Sequence, residues 1–301
     1  MASFPSRHPY LFAVLLCPVL LITGSLGMVL LFKGVFSLDN DTTFASQGPS
    51  IAVVAIKGVM VDPEKTIAAL TECRKNKEIK AVILRINSPG GVVGAAQEIF
   101  TEVRRTDAEK PVIASLGAVA ASGGYYAAIG ARKIIASPGT VTGSIGVILR
   151  LADLSSLYDK IGYQSQVIAS GDLKDTGNMA RPLTQKEREM LDHVVTNMHD
   201  QFIHAIVKYR GLEMDQARTL ADGRVYTGEQ ALQEKLIDAL GNFTDAVQDA
   251  AKMGGIDDLF PRIVREQERK FSLAKLFTAG TETVAALFSA RTPAFSYLLQ
   301  L

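Results

Sequence analysis

The sequence predicts an α/β fold with largely parallel strands, preceded by one transmembrane helix and followed by a helical C-terminal part. Two patterns carry the α/β reading. Short apolar runs alternate with helical stretches from Ile51 to Ala169, and from Thr184 the pattern turns helical. A third observation adds the membrane helix: Leu11–Phe32 is a run of 22 residues without one charged side chain. At about 1.5 Å per residue such a run crosses the hydrocarbon of a bilayer.

The apolar run is longer than the h-region of a cleavable signal peptide and has no small-residue cleavage site just beyond it, so it reads as a retained anchor. Pro18, Gly24 and Gly27 fit a membrane helix, where both residue types are frequent. Arg7 and the amino terminus on one side face Lys33 on the other, close to a tie under the positive-inside rule. The chain then divides into an N-terminal tail (1–10), the anchor (11–32) and a polar, turn-rich linker (33–50). A catalytic-type α/β domain (51–253) and a C-terminal segment (254–301) follow.

Within the domain, Ile51–Ile56, Ala81–Ile86, Val112–Leu116, Lys133–Ala136, Ile145–Leu149 and Gln164–Ala169 read as buried strands. Helices are expected around Glu64–Lys75, Ala95–Arg105, Ser122–Ile129 and Leu154–Ile161. Further helices follow at Thr184–Tyr209, Met214–Leu220, Thr227–Glu234 and Asn242–Lys252. The stretch Phe271–Leu301, after the basic residues Arg262, Arg265, Arg269 and Lys270, reads as an amphipathic helix or a subunit contact, with core packing an equal alternative.

Composition removes some functions. The chain has 301 residues, 48% of them hydrophobic and 21% charged, with a formal net charge of +1. That is too apolar for a disordered chain and lacks the basic footprint of a nucleic-acid binder. Cys17 lies in the anchor and Cys73 in a polar helical stretch, so no disulfide framework is expected. His193, His199 and His204 are spaced by six and five along one helix, without zinc-type spacing, and read as ordinary helix-surface histidines. Neither a metal nor a cofactor is expected.

Three glycine-rich turns stand at strand ends: Asn87-Ser-Pro-Gly-Gly91, Ala121-Ser-Gly-Gly-Tyr125 and Thr142-Gly-Ser-Ile-Gly146. Paired glycines let backbone N–H groups approach a ligand, although each motif alone is more often a plain turn or a helix cap. No G-x-S-x-G elbow, phosphate loop or S-x-x-K around Ser122 is present. A nucleophilic serine here has no obvious histidine base, which leaves a neutral lysine, the best placed being Lys174 in Ser170-Gly-Asp-Leu-Lys-Asp-Thr-Gly177.

Ser122 in A-S-G-G-Y-Y, Ser144 in T-G-S-I-G-V, Lys174 in G-x-x-K and the later Ala221-Asp-Gly-Arg-Val-Tyr226 follow one another as in the signal peptide peptidase A (SppA) family. The chain resembles its short, single-unit, membrane-anchored form from about Ile51 to Ala250. The resemblance implies the repeated ββα units of the Clp protease/crotonase-like fold and a serine endopeptidase with a Ser-Lys dyad. Ser122 would be the nucleophile, Lys174 the general base and Ser144 a hydroxyl orienting the lysine. Gly90, Gly91 and Gly123 match the region of the oxyanion hole.

The resemblance also implies apolar peptide substrates such as cleaved signal-peptide remnants, and a homo-oligomer in which the dyad can form between subunits. It implies a single-pass protein of the cell (inner) membrane with its catalytic domain on the extracytoplasmic, periplasmic side. A coenzyme A thioester enzyme of the crotonase type and an inactive anchored scaffold are the competing readings. A lysine base must be neutral, so Asp172 and Asp175, which flank Lys174 and would raise its pKa, are expected to turn outward to solvent.

Overall fold

A computed structural model of the chain describes residues 48–266 and 296–298. In chain order its elements are β1 (Ser50–Lys57), α1 (Glu64–Lys75), β2 (Ile79–Ser88), β3 (Gly90–Val92), α2 (Val93–Glu109), β4 (Val112–Ala121), α3 (Gly123–Ala128), β5 (Lys133–Ala136) and β6 (Val141–Gly143). Then come α4 (Ser155–Ile161), α5 (Gln185–Arg210), α6 (Met214–Leu220), β7 (Val225–Thr227), α7 (Gly228–Gln233), β8 (Ala239–Leu240), α8 (Phe243–Met253), β9 (Ile263–Arg265) and β10 (Ser296–Leu298). The expected anchor at 11–32, Arg269, Lys270 and most of Phe271–Leu301 lie outside the described residues. Among the described residues, no helix is long and apolar enough to cross a membrane.

The main sheet runs β7-β6-β4-β2-β1-β9, with β5 and then β8 attached to β4; every pairing is parallel except β6 with β7. Parallel strands are buried on both faces, and the period-two alternation of side chains separates two cores. Ala52, Val54 and Ile56 of β1, with Val82, Leu84 and Ile86 of β2, pack among residues of α1, α2, α3 and α5. Ile51 and Val53, with Ala81 and Ile83, face the opposite way, onto Ala246, Val247, Ala250 and Ala251 of α8.

The strand β4 branches. Ile113–Ser115 pair with Lys133–Ile135 of β5, whereas Val119–Ala121 pair with Val141–Gly143 of β6. Gly117 lies between the two halves, where an added Cβ would come within 2.9 Å of the Ile86 carbonyl oxygen. One strand therefore feeds both the central sheet and the smaller layer that carries β6 and β7.

Two expected strands are not strands. At Ile145–Leu149 the pairing ends earlier, because Gly143 (φ 77°) and Ser144 (φ 50°) turn the chain off the edge of β4, although Ile145 is itself buried. The Gln164–Ala169 run is solvent-exposed and has no strand beside it; Ile168 is fully exposed. Beyond Met253, Ile263–Arg265 add a further parallel strand next to β1.

The longest helix, α5, begins with a capping box in which Thr184 and Glu187 satisfy each other's backbone amides, and ends at left-handed Gly211. Its C-terminal half is the anchored part: Phe202, Ile203, Ala205 and Ile206 are buried. Phe202 meets Tyr126 of α3 edge-on at a ring-centroid distance of 4.8 Å. Removing a buried Phe side chain costs about 3–5 kcal/mol. Phe202→Ala is expected to destabilise the domain by that amount in urea titration, and a loss below about 1 kcal/mol would show that α5 is not docked through this ring.

Candidate active site

Ser122 sits at the junction of β4 and α3 with φ 53° and ψ −117°, a conformation that an L-residue holds only under constraint. Two backbone hydrogen bonds supply the constraint: Ser122 N–H donates to Gly143 O at 2.7 Å, and Ser122 O accepts from Tyr126 N at 2.8 Å. The hydroxyl makes no capping bond although it stands at the N-cap position of α3. A helix-capping serine spends its oxygen on the first turn, and Ser122 does not.

Ser144 is held in a second positive-φ turn by its N–H, which donates to Arg224 O at 2.8 Å. Thr142, just before it, is pinned by its own hydroxyl, which donates to Ala120 O at 2.7 Å. Ser122 and Ser144 thus line one cavity of about 430 Å³, together with Val147, Ile148, Val195, His199 and the Ala221-Asp222-Gly223 turn. Sequence order leaves this company hidden, because strand pairing between β4 and β6 is what brings the two serines together.

On the other side of Ser122 lies β3. Met60 N–H donates to Gly90 O at 2.9 Å, and Val92 N–H to Met60 O at 2.8 Å. A Cβ on Gly91 would fall 1.9 Å from Met60 O, and one on Gly123 would fall 3.2 Å from Gly91 N. Gly91 therefore needs glycine, Gly123 is tightly packed, and the Gly91 and Gly123 backbones are close neighbours. The Gly90 amide is different: it donates to Ser88 Oγ at 3.1 Å. The edge of β3 away from Met60 pairs antiparallel with β10, with Tyr297 opposite Gly91.

Lys174 stands apart. It is exposed, in a turn closed by its own N–H to Gly171 O at 3.0 Å, and is not among the residues lining the cavity. The flanking carboxylates are engaged elsewhere. Asp172 is 82% exposed and pairs with Lys186 at 3.0 Å, as an outward-facing group should. Asp175 does not turn to solvent; it binds Arg181 at 3.2 Å and Asn178 at 3.1 Å, because a partner within its own loop outcompetes water.

Arg181 also bonds Glu187, whose side chain is 1% exposed, at 2.7 Å. That guanidinium, with the Thr184 amide and hydroxyl, holds the Glu187 carboxyl down at about 2. The Asp222 carboxyl at the cavity wall is likewise held at about 2, by Arg224.

The three histidines of α5 part company. His193 and His204 are exposed, whereas His199 lines the cavity of Ser122 and its Nε2 is shut off without a hydrogen-bond partner. The reading of His199 as a surface histidine is thereby corrected. The signal was present in the spacing: His199, Phe202 and Ile206 fall at i, i+3 and i+7, one helix face.

The profile of peptidase family S49 matches residues 104–257, a span that includes Ser122, Ser144 and Lys174. The chain belongs to peptidase family S49. The Clp protease profile matches residues 57–141, which contain β2 to β5, Gly91 and Ser122, in keeping with the α/β architecture. A Synechocystis sp. protein named as a candidate protease is 38% identical over 69% of this chain and 75% of its own length. An Enterococcus faecium protein named as a candidate signal peptide peptidase SppA is 33% identical over 77% of this chain and 72% of its own. Protease 4 of Salmonella typhi is 34% identical over 70% of this chain, which spans only 36% of that longer relative. The SppA resemblance read from the motifs thus holds, and the S49 chain is a peptidase.

In this S49 domain the loop bearing Lys174 is tied to α5 by a charge cluster whose strength depends on pH. The Glu187 carboxyl is depressed in the folded chain, so its contribution is present above the ordinary carboxylate value of about 4.3 and is lost as pH falls toward 2. Wild type is expected to protect the amides of 171–184 from hydrogen exchange better than Glu187→Gln at pH 7, the gap narrowing below about pH 4.3 and closing near pH 2. A gap that stays constant across that range would contradict the assignment.

Proposed function

We propose that the chain is a membrane-anchored serine endopeptidase that cleaves apolar peptides, such as signal-peptide remnants, through an acyl-enzyme formed on Ser122 with Lys174 as general base. The observation that carries the reading is the strained Ser122 turn, which frees the hydroxyl from capping in a residue that shares a cavity with Ser144 and precedes Gly123, itself a close neighbour of Gly91.

The chemistry follows from these positions. Ser122 Oγ forms a bond to the scissile carbonyl carbon while its proton passes to the neutral amine of Lys174. The carbonyl oxygen becomes an oxyanion held by the Gly123 N–H, joined by that of Gly91 once Ser296–Leu298 leave the edge of β3 that they occupy in this structure; donors of this kind are worth about 10²–10³-fold in rate. Gly90 contributes by shape, since its own N–H is spent on Ser88. The tetrahedral species then expels the amine, which takes the proton from Lys174. Water, deprotonated by the Lys174 amine, bonds to the acyl carbon; the ester C–O bond then breaks, the acid leaves, and the Lys174 ammonium returns the proton to Ser122 Oγ.

Substrate polarity is supported by a second groove, about 630 Å³, beside β3 and lined by Val92, Val93, Val194 and Met198. An extended peptide adds to a sheet edge through main-chain bonds and is selected by its alternate side chains. The pairing of Ser296–Leu298 with β3 is an instance of such addition within this chain. The anchor at 11–32 would hold the site at the membrane, on the extracytoplasmic side of the inner membrane, where signal-peptide remnants are left.

Lys174 has to reach the cavity from outside it. Its arm carries Leu157, Ile161, Tyr163, Val167, Ile168 and Met179, all exposed. A second copy of the chain would cover these side chains while delivering Lys174 to a neighbouring Ser122. Desolvation in the cavity would then favour the uncharged amine that a general base requires.

Complementation tests this reading. Ser122→Ala and Lys174→Ala should each lose peptidase activity by at least about 10³-fold, and a 1:1 mixture after subunit exchange should recover part of it. Verified mixed oligomers without recovery would place the dyad within one chain. An undiminished Ser122→Ala variant would remove the serine mechanism.

A further inference from the structure

We propose that His199 is a positioning residue for the general base, its uncharged imidazole accepting a hydrogen bond from the lysine amine that enters the Ser122 cavity. The inference rests on the Ser-Lys reading above and adds to it a residue that the dyad itself does not specify.

Donors and acceptors in the cavity have to balance. A neutral amine has one lone pair and two N–H groups. To act as a base its lone pair must point at Ser122 Oγ–H, so both N–H groups need acceptors in a space that has been emptied of water. The Ser144 hydroxyl is one acceptor in the cavity wall. For the second, the polar side chains of the same wall offer Thr196, Asp222 and His199. Thr196 is exposed, and Asp222 is already engaged by Arg224 through several hydrogen bonds.

A carboxylate would also defeat the purpose, since a negative charge beside the amine favours the ammonium form. A neutral imidazole accepts a hydrogen bond without contributing that charge. His199 Nε2 can serve as that acceptor, being sealed from solvent and without a partner among the described residues. A buried polar atom left without a partner is unfavourable, and an arriving donor removes that cost. Because Nε2 is shut off from the cavity as well as from solvent in this structure, the ring has to turn about its Cβ–Cγ bond when the amine enters.

The placement of His199 is set by its helix rather than by its own contacts. Phe202 and Ile206, three and seven residues on, are fully buried and fix the rotation of α5, while Val195, one turn back, lines the same cavity. The side chain is thus held at the wall by packing that does not involve the imidazole nitrogens.

The test uses the full-length protein in detergent and a peptidyl diphenyl phosphonate with an apolar side chain. The Ser122 oxygen bonds to phosphorus, phenoxide leaves, and the serine proton passes to the base, so the labelling rate followed by intact mass reads base positioning directly. His199→Leu is expected to label about 10–100-fold more slowly than wild type and to lower kcat on an apolar peptide with KM unchanged. His199→Gln, whose Oε1 is an uncharged acceptor, is expected to stay within about 3-fold of wild type. Should circular dichroism show the Leu variant unfolded, His199→Ala takes its place.

A Leu or Ala variant that labels at the wild-type rate, or a Gln variant as slow as Leu, would overturn the role of His199. Lys174→Ala, run in parallel, separates this from the reading beneath it. If Lys174→Ala labels like wild type the dyad itself fails, whereas a silent Lys174→Ala beside an unaffected His199→Leu removes only the histidine.

Discussion

The hydrogen bond from Ser122 N–H to Gly143 O, 2.7 Å long, is the contact on which the site depends. It joins the end of β4 to the end of β6 where both strands stop being strands. On one side of it Ser122 adopts φ 53°, on the other Gly143 and Ser144 adopt φ 77° and 50°. Without that tie, the relaxed course for the chain is to let Ser122 cap α3 with its side chain. Backbone strain of this kind is worth about 1–3 kcal/mol per residue and persists only where the surroundings over-determine it. Here they do so from both sides, through the parallel pairing of Val119–Ala121 with Val141–Gly143 and through α3, whose six residues are all buried.

Much of the fold was legible because burial in a parallel sheet leaves a plain trace. Ile51–Ile56, Ala81–Ile86 and Val112–Leu116 are near-continuous apolar runs, and each lies in a strand. The Glu64–Lys75 and Met214–Leu220 helices fall at the expected boundaries. Ile145–Leu149 misled because an apolar run can be buried in a loop as well as in a strand, and the turn that ends β6 lies in Gly143 and Ser144, just before it. Gln164–Ala169 misled for the opposite reason: its apolar residues are exposed.

The site was legible in parts. Glycine-rich turns flagged Gly91, Ser122, Gly123 and Ser144 as candidates, since close approach of backbones favours residues without side chains, and at Gly91 the space left by Met60 O admits no Cβ. That the Gly90 and Gly91 amides are both engaged was not legible, because the Ser88 hydroxyl takes the Gly90 N–H across a turn and the distant Ser296–Leu298 pair with β3 at Gly91. His199 was hidden by distance: 77 residues separate it from Ser122 in sequence, and only the docking of α5 on Tyr126 brings it to the cavity.

The carboxylates of the Lys174 loop and of the cavity wall all have cationic partners. Asp172 and Asp175 are held by Lys186 and Arg181, and Asp222 by Arg224. Every step of the proposed chemistry requires that a peptide acylate Ser122. An acid quench during turnover of an apolar peptide, followed by digestion and mass mapping, reads that event itself. An acyl group is expected on the fragment containing Ser122 and nowhere else; turnover with no acyl adduct, or an adduct on another residue, would contradict the mechanism.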